Sequence, residues 1–335
     1  MNAKPLRVGV VGAGAIAQVA HLPVLSRLQN VAVVGVCDSD LPKAAALAER
    51  FAIPDSFDDI EDLLRYTRPD AVVICTPNHL HEIHVAVALA AGAHVLCERP
   101  LALNTDGVQR ILAARERAGK VVMVGMNHRF RGDVQAVRES VRRGDLGQLQ
   151  AIRAGWYVFR PSRGGPDWRR RGAESGGGAL FDLGLPLLDL SIWLAGGPEV
   201  RHVTTSLSRG DARVEDSGCA LLVCQGDLSV FIDVSWRHVG DTERFWVDLM
   251  GTKGAASIAP LRVFKELHGS AVNVTPTGAA GRENAFTQSY RSEWAHFLAS
   301  VRGEVEAPNL GEQLVIQRLM AAIYRSAEEG RDVSP

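Results

Sequence analysis

Four junctions in this sequence, each at the end of an apolar run, carry residue types that could do chemistry. The first is LRVGVVGAGAIAQ, Leu6 to Gln18. Gly12 suits a tight strand-to-helix turn, because without a Cβ it can take backbone angles other residues avoid. Gly14 leaves the backbone open to a close-approaching pyrophosphate. Ala17 is small enough to let the helix pack on the strand. The helix opening at Ala15 and Ile16 presents unpaired N–H groups and a positive dipole end to an anion. The second junction ends VAVVGVCDSD, where Asp38 stands in position to accept hydrogen bonds from ribose hydroxyls. The same carboxylate repels a 2′-phosphate, and the next residue is Ser39 rather than Arg, so the pattern favours NAD over NADP. The third carries Thr76-Pro77-Asn78, and a similar strand end carries Glu98-Arg99-Pro100. Thr-Pro-Asn is also ordinary turn chemistry.

Further along, Gly176-Gly177-Gly178 precedes Asp182, and Asp189 follows seven residues later on the same helix face. Those glycines either let backbone approach a ligand or free the loop. A loop from Arg160 to Gly178 holds Arg160, Arg163, Arg169, Arg170 and Arg171. It reads either as a carboxylate-binding cluster or as a solvated charge run. The five cysteines, Cys37, Cys75, Cys97, Cys219 and Cys224, lack metal-ligand spacing. They read as reduced thiols of a cytoplasmic protein.

The elements that must position these residues follow from periodicity. Through residue 125, strands at about 6–11, 31–37, 70–75, 93–97 and 121–125 alternate with helices at about 15–29, 41–51, 58–66, 79–91 and 104–118. Alternating βα units with continuous apolar strands imply a doubly wound parallel sheet, with ligands beyond its C-terminal strand ends. After residue 126 come helices at about 133–143 and 181–195 and extended runs at 149–159, 199–208, 217–224, 228–236, 243–250 and 254–264. Two closing helices follow, one placing Tyr290, Trp294, Phe297 and Val301 on a shared face. Short turns between runs argue for one large, open, mostly antiparallel sheet. The expected division is a Rossmann domain at 1–125 and an α+β substrate and oligomerisation domain at 126–335. A large sheet needs its second face covered, which favours self-association.

At 335 residues, 46% hydrophobic and 22% charged, the chain is ordinary for a globular protein. A net charge of −1 offers no basic field for nucleic acid, and no apolar run reads as a membrane span.

Four stretches carry a family resemblance: VGVVGAGAIA (8–17), TPNHLHEIHVAVALAAGAHVLCERPLA (76–102), GMNHRF (125–130) and SGGGALFDLGLPLLDL (175–190). The chain resembles, over nearly its whole length, the Gfo/Idh/MocA family, named from glucose–fructose oxidoreductase, inositol dehydrogenase and a rhizopine-catabolism protein. The resemblance implies NAD(P)-dependent oxidation of a sugar, polyol or sugar acid by a homodimer or homotetramer. It implies that Thr76, Pro77 and Asn78 line the nicotinamide half with His81 nearby, that Glu98 approaches the nicotinamide ribose, and that Asn127 lies near the nicotinamide. Trp168 and Arg169 resemble a segment that reaches over the cofactor.

Two departures bear on catalysis. The family usually has Glu-Lys-Pro, where this chain has Arg99, and Asp-x-Gly-x-His-x-x-Asp, where it has Pro186. Arginine stays charged and cannot act as the base that takes a hydroxyl proton, although it can hold an alkoxide or carboxylate. Of the usual trio only Asp182 can accept a proton. The sequence therefore leaves several readings open. One is an oxidoreductase using Asp182, or a substitute such as His128, Tyr157 or His238. A second is an enzyme whose Arg99 marks an anionic substrate. A third is a catalytically impaired sensor that binds nucleotide and sugar, and a fourth is an NAD-dependent glycosidase.

Overall fold

In the computed structural model, residues 4–160, 168–210, 213–277 and 283–335 are described. By contacts the chain divides into two units, residues 1–127 with 286–314 and residues 128–285 with 315–335. The 286–314 segment, which carries Tyr290 and Trp294, therefore groups with the first unit.

The first unit is built on β1 (Leu6–Val11), α1 (Leu22–Leu25), β2 (Val31–Cys37), α2 (Leu41–Phe51), β3 (Ser56–Phe57), α3 (Ile60–Thr67), β4 (Ala71–Ile74), α4 (His81–Ala90), β5 (His94–Glu98), α5 (Thr105–Ala118) and β6 (Val122–Gly125). All its strands are parallel, in the order β3-β2-β1-β4-β5-β6. Val8, Val10, Val72, Val73, Val95 and Leu96 have no exposed surface, as expected for strands covered on both faces. Local side chains start the helices. Asp40, Asp59 and Asn104 accept backbone N–H groups at the openings of α2, α3 and α5. Strand order reverses at β1, so β1, β2 and β4 bring their C-terminal ends together.

The second unit contains α6 (Gly132–Arg142), β7 (Leu149–Tyr157), α7 (Gly172–Ser175), α8 (Leu185–Leu194), β8 (Val200–Ser208), β9 (Ser217–Cys224), β10 (Ser229–Ser235), β11 (Arg244–Gly251), β12 (Gly254–Ile258), β13 (Arg262–Leu267) and β14 (Ser270–Asn273). The eight strands run β14-β13-β12-β11-β7-β10-β9-β8, antiparallel except for β10 on β7. The run expected as one strand over 254–264 is a hairpin, because the chain turns at Ala259-Pro260 between β12 and β13. Helix α8 packs on β7 and β10. The chain closes with α9 (Ala285–Val301) and α10 (Gly311–Glu329).

Two helices open with a π turn rather than a regular one. At Ala17–His21 the Leu22 N–H reaches back to the Ala17 carbonyl. At Leu180–Gly184 the Leu185 N–H reaches back to that of Leu180. In each case a proline follows, Pro23 or Pro186, whose missing N–H removes the next regular bond. The first helix consequently ends near Leu25, short of the expected residue 29.

One sequence expectation needs amending. Residues Gly172–Leu194 are long and apolar enough, by length and composition, to cross a membrane, yet 83% of that window is buried inside the protein. Leu185 to Ile192 are all buried, so α8 is apolar on every side because it is a core helix.

Candidate active site: two sets of residues

In the first unit the candidate residues gather at the strand ends. Gly12 has φ +98°, and a Cβ there would lie 2.7 Å from the Cys75 carbonyl and 2.9 Å from the Thr76 nitrogen, so β1 can turn beside β4 only with glycine. At Gly14 the nearest atom to a Cβ is the Cys75 oxygen at 3.8 Å; Ala15 is exposed and Ile16 half-buried. This leaves an open backbone surface on the helix opening, the cradle a pyrophosphate requires. Asp38 accepts the Ala13 N–H on Oδ2 (2.8 Å) and the Asp40 N–H on Oδ1 (3.1 Å), tying the end of β2 to the glycine turn. Lys43, which the sequence did not single out, also donates to Oδ2 at 2.9 Å. Burial alone would raise the Asp38 pKa, but the hydrogen bonds from Lys43, Ala13 and Asp40 outweigh it and hold the carboxyl below its usual value.

Beyond β4, Pro77 opens a short 3-10 turn at Asn78–Leu80. The Thr76 hydroxyl meets His84 Nδ1 at 3.0 Å. His81 bridges two loops, with Nε2 at 2.8 Å from the Thr76 carbonyl and Nδ1 at 2.6 Å from that of Pro100. Burial lowers the His81 pKa, against the pull of those carbonyls. Glu98, at the end of β5, meets His21 Nε2 at 2.9 Å, and Trp294 donates its indole N–H to His21 Nδ1 at 3.0 Å. Arg99 follows Glu98, and its charge helps lower the Glu98 pKa. Asn127 donates to Ser289 Oγ at 3.0 Å. Sequence reasoning missed His21 and Glu293, and it read Trp294 as packing only.

In the second unit Asp182 lies on the π turn before α8. Its Oδ2 accepts the Trp236 indole N–H at 3.1 Å and pairs with Arg160 at 3.0 Å; Arg169 stands 3.8 Å from Oδ1. Arg170 donates to the Arg160 carbonyl at 2.9 Å and lies over the Trp236 ring. Trp168 stacks under Arg169, and Arg171 pairs with Glu174. Arg163 lies outside the described residues. Part of the arginine loop is therefore a built cluster around one carboxylate.

The proposed substitutes for a proton carrier have other neighbours. His128 stacks on Phe245 with centroids 5.0 Å apart and meets Trp156 edge-on. The Tyr157 hydroxyl donates to Asp233 at 2.5 Å, and burial and that bond push its pKa up to about 12. His238 lies 5.8 Å from the Tyr157 ring. Asp189 forms a buried two-point ion pair with Arg129 at 2.6 and 2.7 Å. Pro186 is buried in α8.

The glycine run lies tightly against the protein's own neighbouring residues. A Cβ on Gly178 would lie 1.9 Å from the Glu215 carbonyl oxygen, and one on Gly177 would lie 2.0 Å from the Tyr324 hydroxyl. Glu215 Oε1 accepts the N–H groups of Gly178 and Leu180 and the Tyr324 hydroxyl. These glycines thus admit an internal polar knot that fixes the start of the Asp182 turn. Among the described residues no three His, Cys, Asp or Glu side chains gather as a metal-ligand set.

The family profile described as the oxidoreductase family, NAD-binding Rossmann fold, matches residues 6–126, and that of the GFO/IDH/MocA C-terminal domain matches residues 134–257. The D-glucoside 3-dehydrogenase of Escherichia coli (strain K12) is 29% identical, with 99% of this chain and 98% of that protein covered. An uncharacterised oxidoreductase of Rhizobium meliloti is 30% identical over 97% of this chain and 98% of its own. Among solved structures, GenD2 from gentamicin A biosynthesis in complex with NAD superposes with a TM-score of 0.86 at 28% identity, covering 100% of this chain and 97% of that one. On its motifs, its sheet order and these matches, the chain belongs to the Gfo/Idh/MocA family of NAD-binding oxidoreductases.

Proposed function

We propose that this protein is an NAD-dependent dehydrogenase that oxidises a hydroxyl-bearing carbon of a sugar, polyol or sugar acid, and that it prefers the acid. The observation that carries the preference is the charge balance around Asp182. Arg160 pairs with it, Arg169 stands 3.8 Å away and Arg170 lies over the neighbouring Trp236 ring, so guanidinium groups of the kind that hold a carboxylate gather at one place.

Gly12, Gly14, Ala15 and Ile16 are the residues that would hold the pyrophosphate, and Asp38 the adenosine ribose, favouring NAD over NADP. Thr76, Pro77, Asn78, His81, Glu98 and Asn127 would line the nicotinamide half, and Trp168 and Arg169 would reach over it. Bound NAD supplies the acceptor for the two electrons and the hydrogen that leave the substrate carbon. By the family resemblance, Asp182 would take the hydroxyl proton and pass it to water, and Arg99 would hold the oxygen that becomes the carbonyl. His128 is the alternative proton carrier. The relative named D-glucoside 3-dehydrogenase supports the substrate class.

The test is turnover of a panel of polyols, aldoses and uronic acids, followed by absorbance of reduced cofactor. Wild type would run beside the double variant Arg99→Lys, Pro186→His. Wild-type turnover with a uronic acid preferred is the expected result. A silent wild type with an active double variant would favour a nucleotide- and sugar-binding sensor. That second reading draws on Asp182, whose carboxylate is already engaged by Trp236 and two arginines. We further propose that a second copy covers the outer face of the eight-stranded sheet. A cytoplasmic location fits the five free cysteines.

A further inference from the structure

The first unit buries two glutamates, Glu98 and Glu293; the second precedes Trp294, whose indole bonds the same His21 that meets Glu98. Glu98 leaves β5 opposite Gly125, where a Cβ would lie 3.2 Å from its carboxyl carbon, so β6 gives up a side chain to admit it. His21, with no exposed surface, sits behind it. An indole N–H can only donate. Because Trp294 points it at His21 Nδ1, that nitrogen is the acceptor, the ring proton is on Nε2, and Nε2–H is directed at Glu98 Oε1. Tyr290 and Trp294 meet the imidazole edge-on at 5.2 and 5.9 Å and fix its plane. Glu98 therefore receives a donor whose tautomer and orientation are both set.

Glu293, the residue before Trp294 on α9, has the opposite surroundings. It is wholly buried, and neither of its oxygens has a hydrogen-bond partner among the described residues. A charge there would be uncompensated and would face a second carboxylate.

We propose that Glu98 and Glu293 form a buried carboxyl pair carrying one negative charge. The donor chain from Trp294 through His21 keeps that charge on Glu98, and Glu293 is the neutral member. Trp294, His21 and Glu293 are then positioning residues, acting on the cofactor site through Glu98. The groups facing the pair agree. Burial and the Glu98 charge raise the Glu293 pKa, whereas the His21 hydrogen bond and the Arg99 charge help to outweigh burial and lower that of Glu98. Burial and the Glu98 charge also keep Cys75, Cys97 and Tyr290 neutral. A single anion there attracts the cationic oxidised nicotinamide more than the neutral reduced one. This consequence rests on the proposed placement of Glu98 at the nicotinamide end.

The experiment combines infrared spectroscopy of the carboxyl C=O stretch with calorimetric titration of NAD⁺ and NADH. It uses wild type, Glu293→Gln, Glu98→Gln and Trp294→Phe. At pH 7 the wild type should show a protonated-carboxyl band that shifts in D₂O, disappears in Glu293→Gln and persists in Glu98→Gln. Glu293→Gln should keep the wild-type ratio of NAD⁺ to NADH affinity. Glu98→Gln should lower it about tenfold, the size of one charge contact in a partly screened site. Trp294→Phe should lower it part of the way, raising KM for NAD more than it lowers kcat. No band lost in Glu293→Gln, or an affinity ratio that falls with Glu293→Gln as it does with Glu98→Gln, would overturn the proposal. If Glu293→Gln does not fold, Glu293→Met carries the same test, since a neutral unpartnered carboxyl tolerates an apolar replacement. Failure of every sugar in the panel would count against the dehydrogenase reading alone, because the band and the affinities need no turnover.

Discussion

Asp182 accepts the Trp236 indole N–H and pairs with Arg160 on Oδ2, and Arg169 stands 3.8 Å from Oδ1, so its carboxylate is held in one orientation. His128 by contrast is set among Phe245 and Trp156, where a ring of its shape fills an aromatic gap. The two assignments can be separated by kinetics. Asp182→Asn keeps the shape and removes the basic oxygen, and should lower kcat about 10²–10⁴-fold, the usual range for a lost acid–base group. His128→Gln should cost less than about tenfold in kcat, because only packing and orientation change. The measurement is kcat on the best substrate of the panel, with folding checked by circular dichroism. The reverse ranking would move the proton to His128 and leave Asp182 as an anchor for the arginines. The local motifs around these residues were readable because their meaning lies in short spacing: the Gly12 turn and Asp38 sit where the pattern puts them. The His21–Glu98 and His21–Trp294 bonds join positions 77 and 273 residues apart, and no periodicity records such a pairing.

At the scale of elements, alternating strands and helices were legible because burial on both faces imposes continuous apolar strands. The π turns and the hairpin at Pro260 were not, since a proline within an apolar run admits a kink, a π turn or a break alike. The neighbours of the glycine run before Asp182 were not legible for a related reason: a missing side chain says that something comes close, without saying what, and within the protein it is Glu215 and Tyr324. Helix α4 gives a prediction at this scale. His84 anchors it to Thr76, and burial, with His81 nearby, pushes the His84 pKa down from 6.5 to about 4. Between those values the unfolded chain binds a proton that the folded one does not, so stability present above pH 6.5 is lost as pH falls toward 4. His81, His94 and His296 shift in the same direction. His84→Gln removes one contributor and can still bond Thr76. Urea midpoints at pH 7 and 4.5 should therefore fall by less in the variant than in the wild type. An equal fall in both would mean that His84 titrates normally and that the other histidines carry the acid lability.

For the molecule as a whole, the eight-stranded sheet poses the question of what covers its outer face. On β9 the inward residues Ala220, Leu222 and Cys224 are buried, while Leu221 and Val223 are 38% and 41% exposed. Strand pairing puts Phe231 beside Leu221, with Arg153 and Asp248 next in that row, and Trp246 and Met250, the latter 43% exposed, flank Asp248 on the same face. Exposed apolar side chains grouped on one sheet face with a paired Arg153 and Asp248 are more than scattered surface residues account for, and a sheet face of this kind lends itself to two-fold pairing. The expectation is a dimer or tetramer by light scattering. The double variant Leu221→Lys, Val223→Lys should be monomeric, because two added charges on each copy would face their like across the axis. Tyr66 on α3 is 68% exposed and lies in the first unit, so Tyr66→Lys should leave the assembly unchanged. A monomeric wild type would show that the sheet face tolerates water. An oligomer that survives the double variant but not Tyr66→Lys would move the interface to the first unit, leaving the apolar strip on β9 to be explained by something other than a second copy.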